Sequence, residues 1–165
     1  MFKIKSSILF LTSLLFISCI NEKVDNREYK YSLSYIGGGY DGLILGNLLN
    51  TYLNDFNLLD KNSKLKINAS INHEGDVYVT NIDNTSDRER IRTSVTLKIY
   101  DTKSDCIVYK YNNSITQFYI YGPNEKFISN SSANKEIKFT NTEELVKKFM
   151  SSLLHAKLDC EKRIK

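Results

Sequence analysis

The sequence has no Trp, one Pro, two His and three Cys in 165 residues. That scarcity limits metal chemistry from the start. His73 and His155 do not stand as H-x-x-x-H, and Cys106 and Cys160 do not form C-x-x-C, so a zinc site built from them would depend wholly on the fold. There is no G-x-S-x-G, no H-E-x-x-H and no paired-carboxylate motif, and no residue pattern argues for an enzyme, a cofactor or a metal. A large excess of one charge is missing too. The 23 Lys+Arg stand against 19 Asp+Glu for a formal +4, too small an excess for polyvalent nucleic-acid binding. With 41% apolar and 25% charged residues, the chain is not a disordered tail; it can bury one core but not two. Lys supplies 18 of the cations, and Asn and Ile are also abundant. This bias looks like an AT-rich genome, so Lys and Asn counts carry no functional weight.

The first residues form an address. Lys3 and Lys5 precede an apolar stretch at residues 8–17, the length of a signal-peptide core and too short to cross a bilayer of ~30 Å as a helix. It ends in Phe16-Ile17-Ser18-Cys19, where the small Ser18 before Cys19 resembles a bacterial lipobox, with Phe16 in place of the usual Leu. The expectation is removal of residues 1–18, acylation of Cys19, and a fall in formal charge from +4 to +2. Ile20 stands where an Asp would retain a lipoprotein in the inner membrane, which points to a lipid anchor in the outer membrane, facing the periplasm. Residues 19–28 are then a polar tether, 29–160 a single domain and 161–165 a charged tail. In an export compartment Cys106 and Cys160 can pair or stay free.

Periodicity divides the domain into strands and two helices. Residues 29–36 alternate Tyr29, Tyr31, Leu33 and Tyr35 against polar neighbours, a half-buried strand stopped by Gly37-Gly38-Gly39. From Asp41, a candidate cap, the period lengthens: Leu45, Leu48, Leu49, Tyr52, Leu53 and Phe56 make the stripe of an amphipathic helix. Residues 65–71 form a strand that pauses at His73-Glu74-Gly75-Asp76 and resumes at 77–82. The clearest strand puts Ile91, Thr93, Val95, Leu97 and Ile99 on one face, before a turn at 101–105. Residues 106–118 are a strand or a strand pair around Asn112-Asn113, and Gly122-Pro123-Asn124 marks a loop. Leu145, Val146, Phe149, Met150, Leu153, Leu154 and Leu158 stripe a last helix, which starts near Ser131 or at Asn141, where Glu144 has capping-box spacing. These elements predict an α+β two-layer sandwich: a mostly antiparallel sheet of about four strands covered on one face by two helices. Leu48, Leu49, Leu53 and Phe56 should share its core with Val95, Leu97, Ile99, Phe149, Leu153 and Leu154.

Two patterns are candidates for function. Gly37-Gly38-Gly39-Tyr40-Asp41-Gly42 fits G-x-G-x-x-G between a strand and a helix. A dinucleotide site needs that loop inside a βαβ crossover, and the strands after residue 64 look like a meander, so a flexible turn is the expectation. The other pattern is Arg88, Arg90 and Arg92 with Lys98, which alternation places on one face of one strand. Three of the chain's five Arg stand there, and guanidinium groups pair bidentately with phosphate. The plainer reading is a solvated strand face balanced by Glu89 and Asp87.

Residues 86–101, SDRERIRTSVTLKIYD, resemble a strand of the LPS-assembly lipoprotein family (LptE-like), in which a Thr-Arg pair precedes alternating apolar positions ending at an Asp-containing turn. Arg88 takes the place of the family Arg, while Asp87 departs from the Thr. Residues 41–56, with their paired leucines, are similar to the family's first helix, and 133–158 to its last. Phe118-Tyr119-Ile120-Tyr121 is placed like the family's Ser-Tyr-Asn stretch without reproducing it. The likeness spans most of residues 19–160 and rests on order and periodicity. It implies a non-enzymatic outer-membrane lipoprotein that assists assembly of the LPS-transport β-barrel (LptD-like) and contacts LPS, with Arg88, Arg90, Arg92 and Lys98 as candidate phosphate contacts. Two other functions fit the layout: an auxiliary lipoprotein of an ABC-type lipid transporter, and a periplasmic small-ligand-binding domain using the Gly37–Gly42 turn.

Overall fold

The computed structural model describes residues 28–79, 86–120 and 127–160. Cys19, the signal peptide, most of the tether, the end of the 77–82 strand, the Gly122-Pro123-Asn124 loop and the 161–165 tail lie outside the described residues. The elements run β1 (Tyr31–Gly37), α1 (Gly39–Asp55), β2 (Leu65–Val79), β3 (Ser86–Asp101), β4 (Cys106–Ile120) and α2 (Phe127–Leu154). The four strands lie in the order β1-β2-β3-β4. The pairs β2–β3 and β3–β4 are antiparallel, whereas β1 runs parallel to β2. Helix α1 packs on β1 and β2, and α2 on β3 and β4. The fold is the expected α+β sandwich.

Strand β3 shows why the layers form. Ile91, Thr93, Val95, Leu97 and Ile99 are all buried beneath the helices, while Arg88, Arg90, Arg92 and Lys98 are exposed on the other face. Leu45, Leu49 and Leu53 recur every four residues on α1 and are buried, as are Leu145, Val146, Phe149, Met150 and Leu153 on α2. Phe149 meets the ring of Tyr111 edge-on, with centroids 5.5 Å apart. Cys106 and Cys160 form a disulfide with Cα atoms 5.6 Å apart, fastening the segment after α2 to the start of β4.

Several sequence expectations need correction. The register steps three residues on β1, from Leu33 to Ile36, against two on β2. This bulge reverses the alternation, so Tyr35 is 69% exposed and Ile36 takes the core-facing role. Phe56 is also exposed: α1 has ended, the chain turns through Asn57 at φ 54°, and Leu58 is buried in its place. Asp41 does not cap α1, because the helix begins two residues earlier after Gly38, without a side-chain cap. Helix α2 starts at Phe127, ahead of both expected positions, and Asn141 lies buried inside it rather than at a cap. Neither β2 nor β4 is interrupted; each is one strand of 15 residues.

Candidate functional site

Register defines the surroundings of the cationic row on the exposed face of the sheet. Arg90 faces Asp76 on β2 and Phe118 on β4, Arg92 faces Glu74, and Lys98 lies between Asn68 and Lys110. Arg90 Nη2 bonds Asp76 Oδ2 at 2.5 Å. The charge balance expected from Glu89 and Asp87 therefore comes instead from β2. Glu89 points to the helix-covered side, where its carboxylate accepts from the Tyr119 hydroxyl and from Asn134 Nδ2 at 3.1 Å. The side chain of Asp87 lies outside the described residues. Arg90 stands 11 residues before Asp101 in an extended strand, about 36 Å from the end of the sheet where β1 begins.

A pocket of about 490 Å³ opens on the other face, between the first turn of α1, β2 and α2. Asp41, His73, Lys135, Lys138, Tyr40 and Phe139 are among the residues that line it. His73 is nearly closed off, with its side chain 3% exposed. Its Nδ1 lies 2.8 Å from Thr93 Oγ1, which also accepts from Asn141 Nδ2 at 3.1 Å. Its Nε2 lies 3.8 Å from Asp41 Oδ2. Burial pushes the imidazole pKa below the usual histidine value and Lys138 adds to this, while Asp41 opposes it. Thr93, His73 and Asp41 have the residue types of a nucleophile, base and orienting acid, but the geometry does not fit that role. Thr93 is fully buried, and the His73–Asp41 separation exceeds hydrogen-bond range. The network instead joins α2 to the sheet, leaving Asn141 Oδ1 buried with no partner among the described residues.

The glycine loop differs from expectation in one respect. Because β1 and β2 are parallel and α1 connects them, residues 37–42 do lie in a βαβ crossover, not a meander. Gly38 takes φ 118°, and a Cβ on Gly42 would stand 2.8 Å from the Gly37 carbonyl oxygen, so these two glycines shape the turn and its close helix packing. The ribose-binding carboxylate of a dinucleotide site is missing from its place. β2 carries Ile71 and Asn72 beside the loop, and Asp60, about 20 residues on, lies at the opposite end against Tyr31. Among the described residues no cluster of three potential ligands could hold a metal ion, and no helix is long and apolar enough to cross a membrane.

No protein-family model and no curated protein matches the chain. Solved structures do match its fold. The minor lipoprotein of Acinetobacter baumannii has a TM-score of 0.54 at 15% identity, covering 75% of this chain and 91% of that one. Rare lipoprotein B of Shewanella oneidensis has a TM-score of 0.54 at 12% identity, covering 74% and 96%. An uncharacterised lipoprotein B of Nitrosomonas europaea has a TM-score of 0.55 at 9% identity, covering 76% and 82%. These neighbours are bacterial lipoproteins; at such identities they share the fold.

The sequence located the cationic row, and the structure places Arg88, Arg90, Arg92 and Lys98 along one face of β3. Cys19 lies outside the described residues. Sequence reading missed the pocket. One signal was present: Thr93 is a polar residue within the apolar stripe of β3, and a hydroxyl buried there needs partners. Nothing local identified Asn141 and His73 as those partners.

Proposed function

We propose that the chain is an outer-membrane lipoprotein, anchored through Cys19 and facing the periplasm, that assists assembly of the LPS-transport β-barrel and delivery of LPS to the cell surface. The observation that carries this reading is the fold, shared over about three quarters of the chain with bacterial lipoproteins that include a rare lipoprotein B. The Ser18-Cys19 lipobox and the likeness of residues 86–101 to the LPS-assembly family support it. In this role the protein is a non-enzymatic scaffold. Arg88, Arg90, Arg92 and Lys98 present charge-assisted donors to lipid phosphates on a rigid, twisted sheet. Asp76, which pairs with Arg90 at 2.5 Å, and Glu74, opposite Arg92, reduce the net charge of that face and compete with a phosphate for those two guanidinium groups. Arg88, Arg90 and Arg92 lie toward the end of the sheet away from the start of β1, with Lys98 nearer that start.

Affinity purification of the tagged lipoprotein from detergent-solubilised outer membranes tests the reading. Recovery of a large β-barrel partner is expected. Recovery of an inner-membrane ABC-type transporter instead would assign the protein to lipid-transport machinery of the other membrane.

A further inference from the structure

We propose that the pocket between α1 and α2 binds a phosphorylated sugar, with its phosphate between Lys135 and Lys138 and its ring against Tyr40 and Phe139. The site is on the opposite face from the arginine row and goes beyond the lipoprotein reading, which is tested by its membrane partner.

Three observations converge. The first concerns the lysines of α2. In the C-terminal half of the helix, Lys147 pairs with Glu143 at 2.8 Å and Lys148 with Glu144 at 3.1 Å. Among the described residues no carboxylate stands within 4 Å of Lys135 or Lys138; both line the pocket with Asp41, and both border a neighbouring hollow with Glu89. Two ammonium groups one turn apart suit a phosphomonoester, which carries about −1.5 to −2 charges at neutral pH. The second is the rim. Tyr40 is 77% and Phe139 46% exposed, and both border a concavity of about 490 Å³, within the size range of small-ligand sites. Flat aromatic faces at a pocket mouth can cover the apolar face of a sugar ring and become buried as they do so.

The third is the carboxylate. An anion site with Asp41 in its wall would be self-defeating if phosphate were the whole ligand. A sugar resolves this, because its hydroxyls donate to the Asp41 carboxylate, and Thr142 and the neutral His73 extend the polar wall. Asp41 also sits in the first turn of α1, where the helix dipole offsets its charge. Through Thr93 and Asn141, His73 holds this wall fixed against α2.

The test uses the full lipoprotein in phosphatidylcholine nanodiscs, with glucose 1-phosphate as the probe and calorimetry and the His73 ring resonances as readouts. Saturable binding that shifts those resonances is expected, with glucose and inorganic phosphate each weaker by about tenfold or more. Lys135→Gln with Lys138→Gln should weaken the sugar phosphate by a similar factor while leaving the circular dichroism and the His73–Thr93 contact unchanged. LPS added to the nanodiscs distinguishes the sources. Competition with glucose 1-phosphate assigns the site to a lipid-borne headgroup, and its absence assigns the site to a soluble sugar phosphate. Inorganic phosphate binding as well as the sugar phosphate, an unaffected double variant, or no saturable binding would overturn the proposal.

Discussion

At the end of the sandwich where β1 begins, backbone bonds, hydroxyl bonds such as Ser32 Oγ to Ser63 O at 3.2 Å, and a covalent link hold the elements together. Tyr31 N–H donates to Leu58 O at 2.8 Å, Asp60 N–H to Tyr31 O at 2.9 Å, and Thr102 N–H to Lys64 O at 3.0 Å. The Cys106–Cys160 disulfide lies in the same region. At the other end, beyond the strand pairing, two side-chain clusters join the layers: His73, Asn141 and Thr93 form one, and Glu89, Tyr119 and Asn134 another. The pocket and the arginine row are both there. The side-chain clusters that tie α2 to the sheet thus lie beside the pocket and the arginine row, while the covalent link lies at the end where β1 begins.

Breaking the fastening should have the largest effect. Cys160→Ser opens a link across 54 residues, which the chain-entropy picture equates with about 4 kcal/mol. A urea titration under oxidising conditions checks this. If the proposed LPS contact holds, the folded variant should bind LPS as the wild type does.

The layer between the two ends should be nearly as sensitive. Leu97→Ala removes a fully buried side chain from the helix-covered face of β3 and should cost ~2–5 kcal/mol. Thr96→Ala, on the solvent side of the same strand, should stay within about 0.5 kcal/mol. Equal midpoints for the two in denaturant would show that the faces of β3 have been assigned the wrong way round.

Much of this comparison was legible in the sequence. Period-two alternation identified both faces of β3, and the apolar stripe of residues 145–153 identified the buried side of α2. Two kinds of feature were not legible. Tyr35 and Phe56 match their stripes, yet a bulge and a helix stop expose them, because register and termination depend on the neighbouring strand and turn. The βαβ start was missed for a related reason: only the pairing partner of β1 distinguishes a crossover from a meander. The pocket is less legible still. Its lysines come from the part of α2 with the weakest apolar period, and its imidazole from an apparent pause in β2.

Acid should act on the end that holds the pocket. The His73 pKa is lowered in the folded protein, chiefly by burial, so the unfolded chain takes up the proton first. Stability should therefore hold above the ordinary histidine value of about 6.5 and fall as pH drops below it, with Asp41 moderating the loss and Lys138 increasing it. Thermal melts from pH 7.5 to 5 should show this slope, and His73→Gln should flatten it.

The smallest effect on stability should come from the exposed face. Replacing Arg88, Arg90 and Arg92 together by Gln removes the exposed Arg90–Asp76 pair, worth less than about 1 kcal/mol, and leaves the core intact. Affinity for LPS micelles should nevertheless fall. The wild-type affinity should weaken with added salt as screening closes to a Debye length of ~8 Å. A variant that binds LPS as tightly as the wild type would limit the row to protein contact.

The division of labour between the ends is tested most directly by photo-crosslinking in native outer membranes. One copy of the protein carries a benzophenone amino acid at Phe118, on the outer face across from Arg90, and another carries it at Lys103, in the turn near the disulfide. Crosslinks from position 118 to a large β-barrel protein or to LPS, with none from position 103, are the expected result. Crosslinks to the barrel from position 103 and none from position 118 would contradict it, by placing the working surface at the end where β1 begins.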